Sequence, residues 1–292
     1  MDLSIYKKGN FIYFHNGIIE DKNIDINDLT LKDNIDFTII HDIDSNCKIK
    51  LTLNPGINAN ILEIFYLHGQ ELIEVNKEII CKKDSNLNIV TIEHSSKDFM
   101  ANVNVTTTLE ENAKIENKKL ALYLNEIKEC EEVTLAGINS TYDNFNVLIN
   151  SANIVQNSDL LVTHMATDTK SIMRNYGISK GSSVLNINTN GKVLRGAKRT
   201  NVSQKSKGIL LDIESKISAN PWLQIDEFDC LASHGAGIGA ISEEELYYLM
   251  SRGLTRSESE RIIIDGFVSP IYQEIKNEDI RKEVVEIVKK YL

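Results

Sequence analysis

Two side chains with metal-ligand chemistry, Cys230 and His234, stand four residues apart in the run D-E-F-D-C-L-A-S-H-G-A-G-I-G. Thiolate is a soft metal ligand and imidazole suits several transition metals, with carboxylates as harder oxygen donors. If this segment is extended, the two-residue side-chain period puts Cys230, Ala232 and His234 on one face. Asp226, Glu227 and Asp229 lie just upstream as oxygen donors. One chain then offers two good ligands, and two chains about a two-fold axis would offer four. That count favours a centre shared at a symmetric interface. Blander readings stand beside it: His234 bonded to backbone, and Cys230 acting as a small buried hydrophobe. His164 is a secondary candidate, better read as structural. Cys47, Cys81 and Cys130 are scattered, with no C-x-x-C in the chain. Neither a zinc finger nor a dense disulfide framework fits that spacing.

The elements that must position these residues change character along the chain. Residues 1–60 read as an N-terminal segment of short strands and loops rich in Ile, Asn and Asp. From residue 61 to 241 the texture is that of short strands. Val103, Val105, Thr107 and Leu109 alternate, as do Leu185, Ile187 and Thr189 before an expected tight turn at Asn190-Gly191. No repeat of fixed length stands out. An all-β body follows, and periodicity by itself leaves sandwich, barrel and parallel β-helix open. Residues 242–292 are helical. Ser242 with Glu245 and Thr255 with Glu258 have capping-box spacing. Gly253 fits a left-handed C-cap, and Pro270 is expected to force an exit. A last helix should begin after Asn277, with Lys289 and Lys290 at its negative end. Tyr247, Tyr248, Leu254 and Phe267 on this tail are candidate anchors for a partner groove.

Composition removes other classes. The chain has 292 residues, 42% hydrophobic and 25% charged, with a formal net charge of −10. That charge argues against general nucleic-acid binding. One stretch, from Lys180 to Leu211, carries seven cations and no acid, which marks an anion or acidic-partner site as a minority reading beside a solvated basic face. No apolar run approaches the ~20 residues of a membrane span, and the N-terminus lacks a secretion-signal pattern. A cytoplasmic location is expected. No G-x-x-x-x-G-K-[ST] loop is present, so the chain should not hydrolyse ATP alone.

An ordered set of motifs between residues 161 and 271 resembles the SufB/SufD family of iron–sulfur cluster assembly scaffolds. It comprises His164-Met165-Ala166 with Thr169-Lys170-Ser171, Gly196-Ala197-Lys198-Arg199-Thr200 with Gln204, and Gly208-Ile209-Leu210-Leu211. Pro221 with Leu223-Gln224-Ile225, Ser233-His234-Gly235-Ala236 with Gly239, Tyr248 to Leu254, and Gly266-Phe267-Val268 with Pro270-Ile271 complete it. The resemblance implies a right-handed parallel β-helix core with a C-terminal helical tail. It implies a scaffold rather than an enzyme, whose helices dock on a SufC-like ABC ATPase. Its β-helix would pair with a second copy or a SufB-like chain around a transient cluster, expected to be 4Fe-4S. Cys230 and His234 are the ligand candidates, with Asp229 and Glu227 completing the metal set. Three positions depart from the family pattern. Gly235 stands where SufB-type members have glutamate, Ala232 where SufD-like members have cysteine, and Lys205-Ser206 where SufB-type members carry a cysteine. The alternatives are a SufD-like structural adaptor without its own cluster and a β-helix carbohydrate-active enzyme. The aromatic content of 7% and the single Trp222 disfavour the latter.

Overall fold

The computed structural model describes residues 3–26, 28–96 and 99–292. Successive strands alternate between two sheets, one of ten strands and one of eight, and within each sheet almost every neighbour is parallel. The result is a flattened parallel β-solenoid of about 8 turns, followed by three helices. Thr30 lies beside Thr52 and Val184 beside Lys216, so one coil takes between 22 and 32 residues. That variation hid the repeat from a search for a fixed period. The boundary expected at residue 60 has no structural counterpart, because Ile35–Ile43 pairs along its length with Asn58–Leu67. Phe11–His15 in turn lies parallel to Ile35–Ile43.

Asn and Asp build the corners. Asp84, Asn112, Asn139 and Asp168 all have φ between 55° and 60°, the left-handed region these residues tolerate. Each donates its backbone N–H to a carbonyl of the next coil. Asn112 donates to Asp84 at 2.7 Å, and Asn139 to Asn112 at 2.9 Å. Similar Asn ladders run along the sheets, including Asn88 to Asn60 and Asn186 to Asn157.

The tight turn expected at Asn190-Gly191 does not exist. Both lie inside the strand Val184–Val193. Gly191 points into the lumen, where a Cβ would meet Val202 Cγ1 at 2.7 Å and Gln204 Nε2 at 2.9 Å. Its glycine is a packing requirement. Gly191→Val should overpack this layer and lower unfolding free energy by about 1–3 kcal/mol, read by urea denaturation.

Two apolar clusters hold the molecule together. One fills the lumen between the sheets. The other lies outside it, where helices α2 (Arg256–Tyr272) and α3 (Glu278–Tyr291) cover the ten-stranded sheet. Strands under the helices are buried on both faces in their second halves, as in Asn86–Ser95 and Lys114–Tyr123. Uncovered strands such as Val155–His164 keep strict alternation. Asn277 caps α3 by accepting from the N–H groups of Asp279 and Ile280, and Thr255 and Glu258 form the expected capping box on α2. Pro270 does not end α2, which continues to Tyr272. The carbonyl of Gly266, left without the proline N–H, accepts from Ser269 Oγ at 3.4 Å.

The lumen is not uniformly apolar. Four buried carboxylates (Glu63, Glu93, Glu129 and Glu131) meet two buried ammonium groups, Lys77 and Lys119. All of them except Glu63 line a cavity of about 30 Å³ between the middle coils. Lys77 binds Glu63, which also meets His41 at 3.2 Å, and Lys119 binds Glu129. Tyr123 and Tyr142 donate their hydroxyls to Glu93 and Glu131. Burial, then the charge of Glu129, pushes the Glu93 carboxyl up to about 7. Burial also raises Glu131.

Candidate functional site at the open end of the solenoid

The last coil ends both sheets. Lys216–Ile225 is the terminal strand of the eight-stranded sheet, and Cys230–Ala240 is that of the ten-stranded sheet. Each has one neighbour, so each presents an edge of unpaired backbone groups. Pro221, in the middle of Lys216–Ile225, agrees with that position, since a proline within a strand is confined to edges. Nearly every residue of Cys230–Ala240 is exposed. Trp222, Phe228, Leu231 and Ile238 are exposed large apolar side chains on and beside these edges. They were not singled out as a surface from the sequence, although the lack of polar alternation in C-L-A-S-H-G-A-G-I-G-A was a signal for Leu231 and Ile238.

The strand puts Cys230 and His234 on the same face, as the period-two argument expects, but about 13 Å apart along it at ~3.3 Å per residue. One chain therefore cannot give both to one compact cluster. His234 Nδ1 lies 3.0 Å from the Pro221 carbonyl. A carbonyl only accepts, so Nδ1 carries the hydrogen and Nε2 keeps the lone pair a metal needs. On the neighbouring strand Gln204, beside His234, donates Nε2 to the Trp222 carbonyl at 2.9 Å. These two side chains cross from one sheet to the other and close the lumen. Cys230 is half-buried and packs against the luminal cluster. Its Sγ donates to the Glu227 carbonyl at 3.2 Å. Burial, then the charges of Glu227 and Asp229, raises its thiol.

The carboxylate of Glu227 caps a turn, accepting from the N–H groups of Gly196 and Phe228, each at 2.9 Å, and of Asp229 at 3.1 Å. Those bonds, led by the one from Asp229, hold it below the usual carboxylate range. The Asp229 carbonyl accepts from Arg199 N–H, and its side chain is exposed. Among the described residues no three His, Cys, Asp or Glu side chains converge to hold a metal ion. His164 is fully buried at one corner, with Nδ1 on Thr169 Oγ1 and Nε2 on Ser171 Oγ, both at 2.8 Å. Burial lowers it to about 4. Its place is structural.

After the open end the chain enters α1 (Glu243–Ser251), where Ser242 accepts from Glu245 N–H. Only Leu246 of this helix is buried; Tyr247, Tyr248 and Met250 face outward. Arg252 lies over the Tyr248 ring at 5.3 Å. Leu254 is half-buried, and Phe267 packs against Tyr176 with ring centroids 5.2 Å apart. Of the four expected anchors, the two tyrosines are the ones held free of the body.

The family model for the SUF system FeS cluster assembly SufBD core domain matches residues 44–267. The chain belongs to the SufB/SufD family. It is similar to the iron–sulfur cluster assembly protein SufD of Bacillus subtilis, with 32% identity over 148 residues, or 51% of this chain and 34% of that protein. A SufBD family protein of Staphylococcus epidermidis is 28% identical over 226 residues, covering 76% of this chain and 47% of the relative. One from Pyrococcus horikoshii is 35% identical over 119 residues, covering 38% and 26%. Each match spans less than half of the relative's length. Membership connects the fold with iron–sulfur cluster assembly, and no helix among the described residues is long and apolar enough to cross a membrane.

Proposed function

We propose that this chain is a non-enzymatic scaffold subunit that holds a nascent iron–sulfur cluster where two solenoids meet end to end. The observation that carries this reading is the open last coil, with two unpaired strand edges and an exposed apolar set of Trp222, Phe228, Leu231 and Ile238. Pairing those edges with a second solenoid satisfies the backbone groups and removes the apolar surface from water. His234, with no partner for Nε2 among the described residues, stands beside that edge as the first ligand of such a shared site. Cys230, about 13 Å along the strand, does not join it on the same cluster from the same chain. The partner is a second copy of this chain or a SufB-like subunit. The outward tyrosines of α1 are the docking element for a SufC-like ABC ATPase, which supplies ATP hydrolysis.

Anaerobic co-purification with such an ATPase, followed by iron and sulfide analysis, tests the proposal. Wild type should carry a cluster absorption band, and His234→Ala should lose at least half of its iron while the complex stays intact. Leu231→Asp should shift the solenoid pair toward single chains in sedimentation. A second reading, a SufD-like structural adaptor, is favoured by the inward hydrogen bond of Cys230 and by the engagement of Glu227 as a turn cap. A stable ATPase complex with no iron in wild type or variant would select the adaptor and overturn the cluster-holding role.

A further inference from the structure

The acid-free run from Lys180 to Leu211 is dispersed by the fold, and among the described residues Arg199 alone of its seven cations forms an ion pair. Arg199 is held by Asp168 through two 2.6 Å bonds, and Lys192 lies on the eight-stranded sheet. Lys205 and Lys207 lie on the outer face of the ten-stranded sheet, and among the described residues neither forms an ion pair. Arg174 stands directly beside Lys205 on the neighbouring strand, and Lys207 follows two residues on, beside Tyr176. Three cations thus occupy adjacent positions in a chain of net charge −10, with Asp143 alone bound to Arg174. Like charges at neighbouring strand positions are destabilising unless an anion sits between them.

The surroundings hold these cations in place. Lys207 Nζ lies over the Tyr176 ring at 5.4 Å and the Phe267 ring at 6.0 Å. Arg174 lies over Phe145 at 5.6 Å. Contact with the rings limits the freedom of both long stems before any ligand arrives. On the next strand the residues beside Lys205 and Lys207 are Gly235 and Gly237, where an added Cβ would meet nothing within 4 Å. No side chain on that strand covers the two ammonium groups. The patch opens into a cleft of about 530 Å³ between the sheet and α2, lined also by Lys118 and Pro270.

We propose that this cleft is a binding site for a small, multiply charged phosphate compound, seated on Arg174 and Lys207, which line it, with Lys205 beside Arg174 on the neighbouring strand. One strand spacing by one side-chain repeat is roughly 5 Å by 7 Å, which suits two adjacent phosphoryl groups better than a single charge. A broad acidic protein surface fits less well, because the cleft is also lined by Glu116 and by Asp143, which is bound to Arg174.

The site is independent of the cluster and of the solenoid pair, and its test uses the isolated full-length chain. Calorimetric titration with inorganic pyrophosphate at low salt should give saturable binding that Lys205→Ala/Lys207→Ala weakens at least tenfold. Lys192→Ala, a charge change on the other sheet, should leave it unaltered. Parallel titrations with ATP and ADP separate a nucleotide ligand, which should bind more tightly than pyrophosphate, from a bare phosphate ligand, which should not. Equal binding by wild type and the double variant, or an equal signal from chloride at matched ionic strength, would overturn the proposal. So would binding of an acidic peptide without binding of pyrophosphate. Circular dichroism melting of the double variant confirms that any loss of binding is not a loss of fold.

Discussion

Lys119→Ala should be among the most damaging single substitutions in this protein, lowering its unfolding free energy by about 3–5 kcal/mol. Lys119 is 4% exposed and binds Glu129, which is 1% exposed. Burial opposes its charge, but Glu129 first and then Glu93 and Glu131, which its ammonium also faces, raise its pKa. Glu129 has a second oxygen with no partner among the described residues. Removing the ammonium would strand that carboxylate between two others in a sealed lumen. A domain's whole stability is about 5–15 kcal/mol, so the variant should be partly unfolded at physiological temperature. Urea denaturation followed by circular dichroism reads the loss. Lys119→Met combined with Glu129→Leu replaces both partners with apolar groups and should recover most of it. A loss below 1 kcal/mol for Lys119→Ala would mean that the lumen is hydrated and the pair is screened.

The second large effect is a pH profile that two substitutions tilt in opposite directions. The folded Glu93 carboxyl is raised from its ordinary 4.5 to about 7. Between those values the folded state holds a proton that the unfolded state has released. Its contribution is fully present below pH 4.5 and is lost as pH rises to about 7. Folded His164 is lowered by burial from 6.5 to about 4, so the unfolded state binds the extra proton. Its contribution is present above pH 6.5 and is lost as pH falls to about 4. Each shift amounts to roughly 3 kcal/mol at most. Glu93→Gln should therefore make the protein relatively more stable at pH 8 than at pH 5, compared with wild type. His164→Gln should do the reverse. Unfolding midpoints across pH 4–9 measure both. Parallel profiles for wild type and either variant would mean that the residue titrates alike in folded and unfolded chains.

Much of the fold was legible because local chemistry and global structure agree in this chain. The capping signals of α1, α2 and α3 specify helix starts through hydrogen bonds made within one turn, and all three appear where expected. Alternation in the body strands was readable for the same reason, since a strand facing one core needs only its own two-residue period. Asp84, Asn112 and Asn139 occupy left-handed corners that these residue types tolerate through their own local chemistry. Gly191 was misread because a glycine chosen for turn freedom and one chosen for lack of a Cβ are identical in sequence. Only the approach of Val202 from a neighbouring coil distinguishes them.

For the candidate site, the sequence by itself determined the ligand-capable residues, the family membership and an extended segment that carries Cys230 and His234 on one face. Tertiary structure decided what each side chain is free to do. Strand rise separates the two ligands by about 13 Å. The coil before it turns the Cys230 thiol toward the Glu227 carbonyl, and the opposite sheet supplies the Pro221 carbonyl that leaves His234 Nε2 available. The lumen charges paired only on folding, because Lys119 and Glu129 belong to opposite sheets. The same holds for Arg174 and Lys205, 31 residues apart in the chain and adjacent across a strand pair. In a solenoid, contacts are set by the number of residues in each coil, and here that number varies. No fixed spacing in the sequence could therefore reveal which side chains become neighbours.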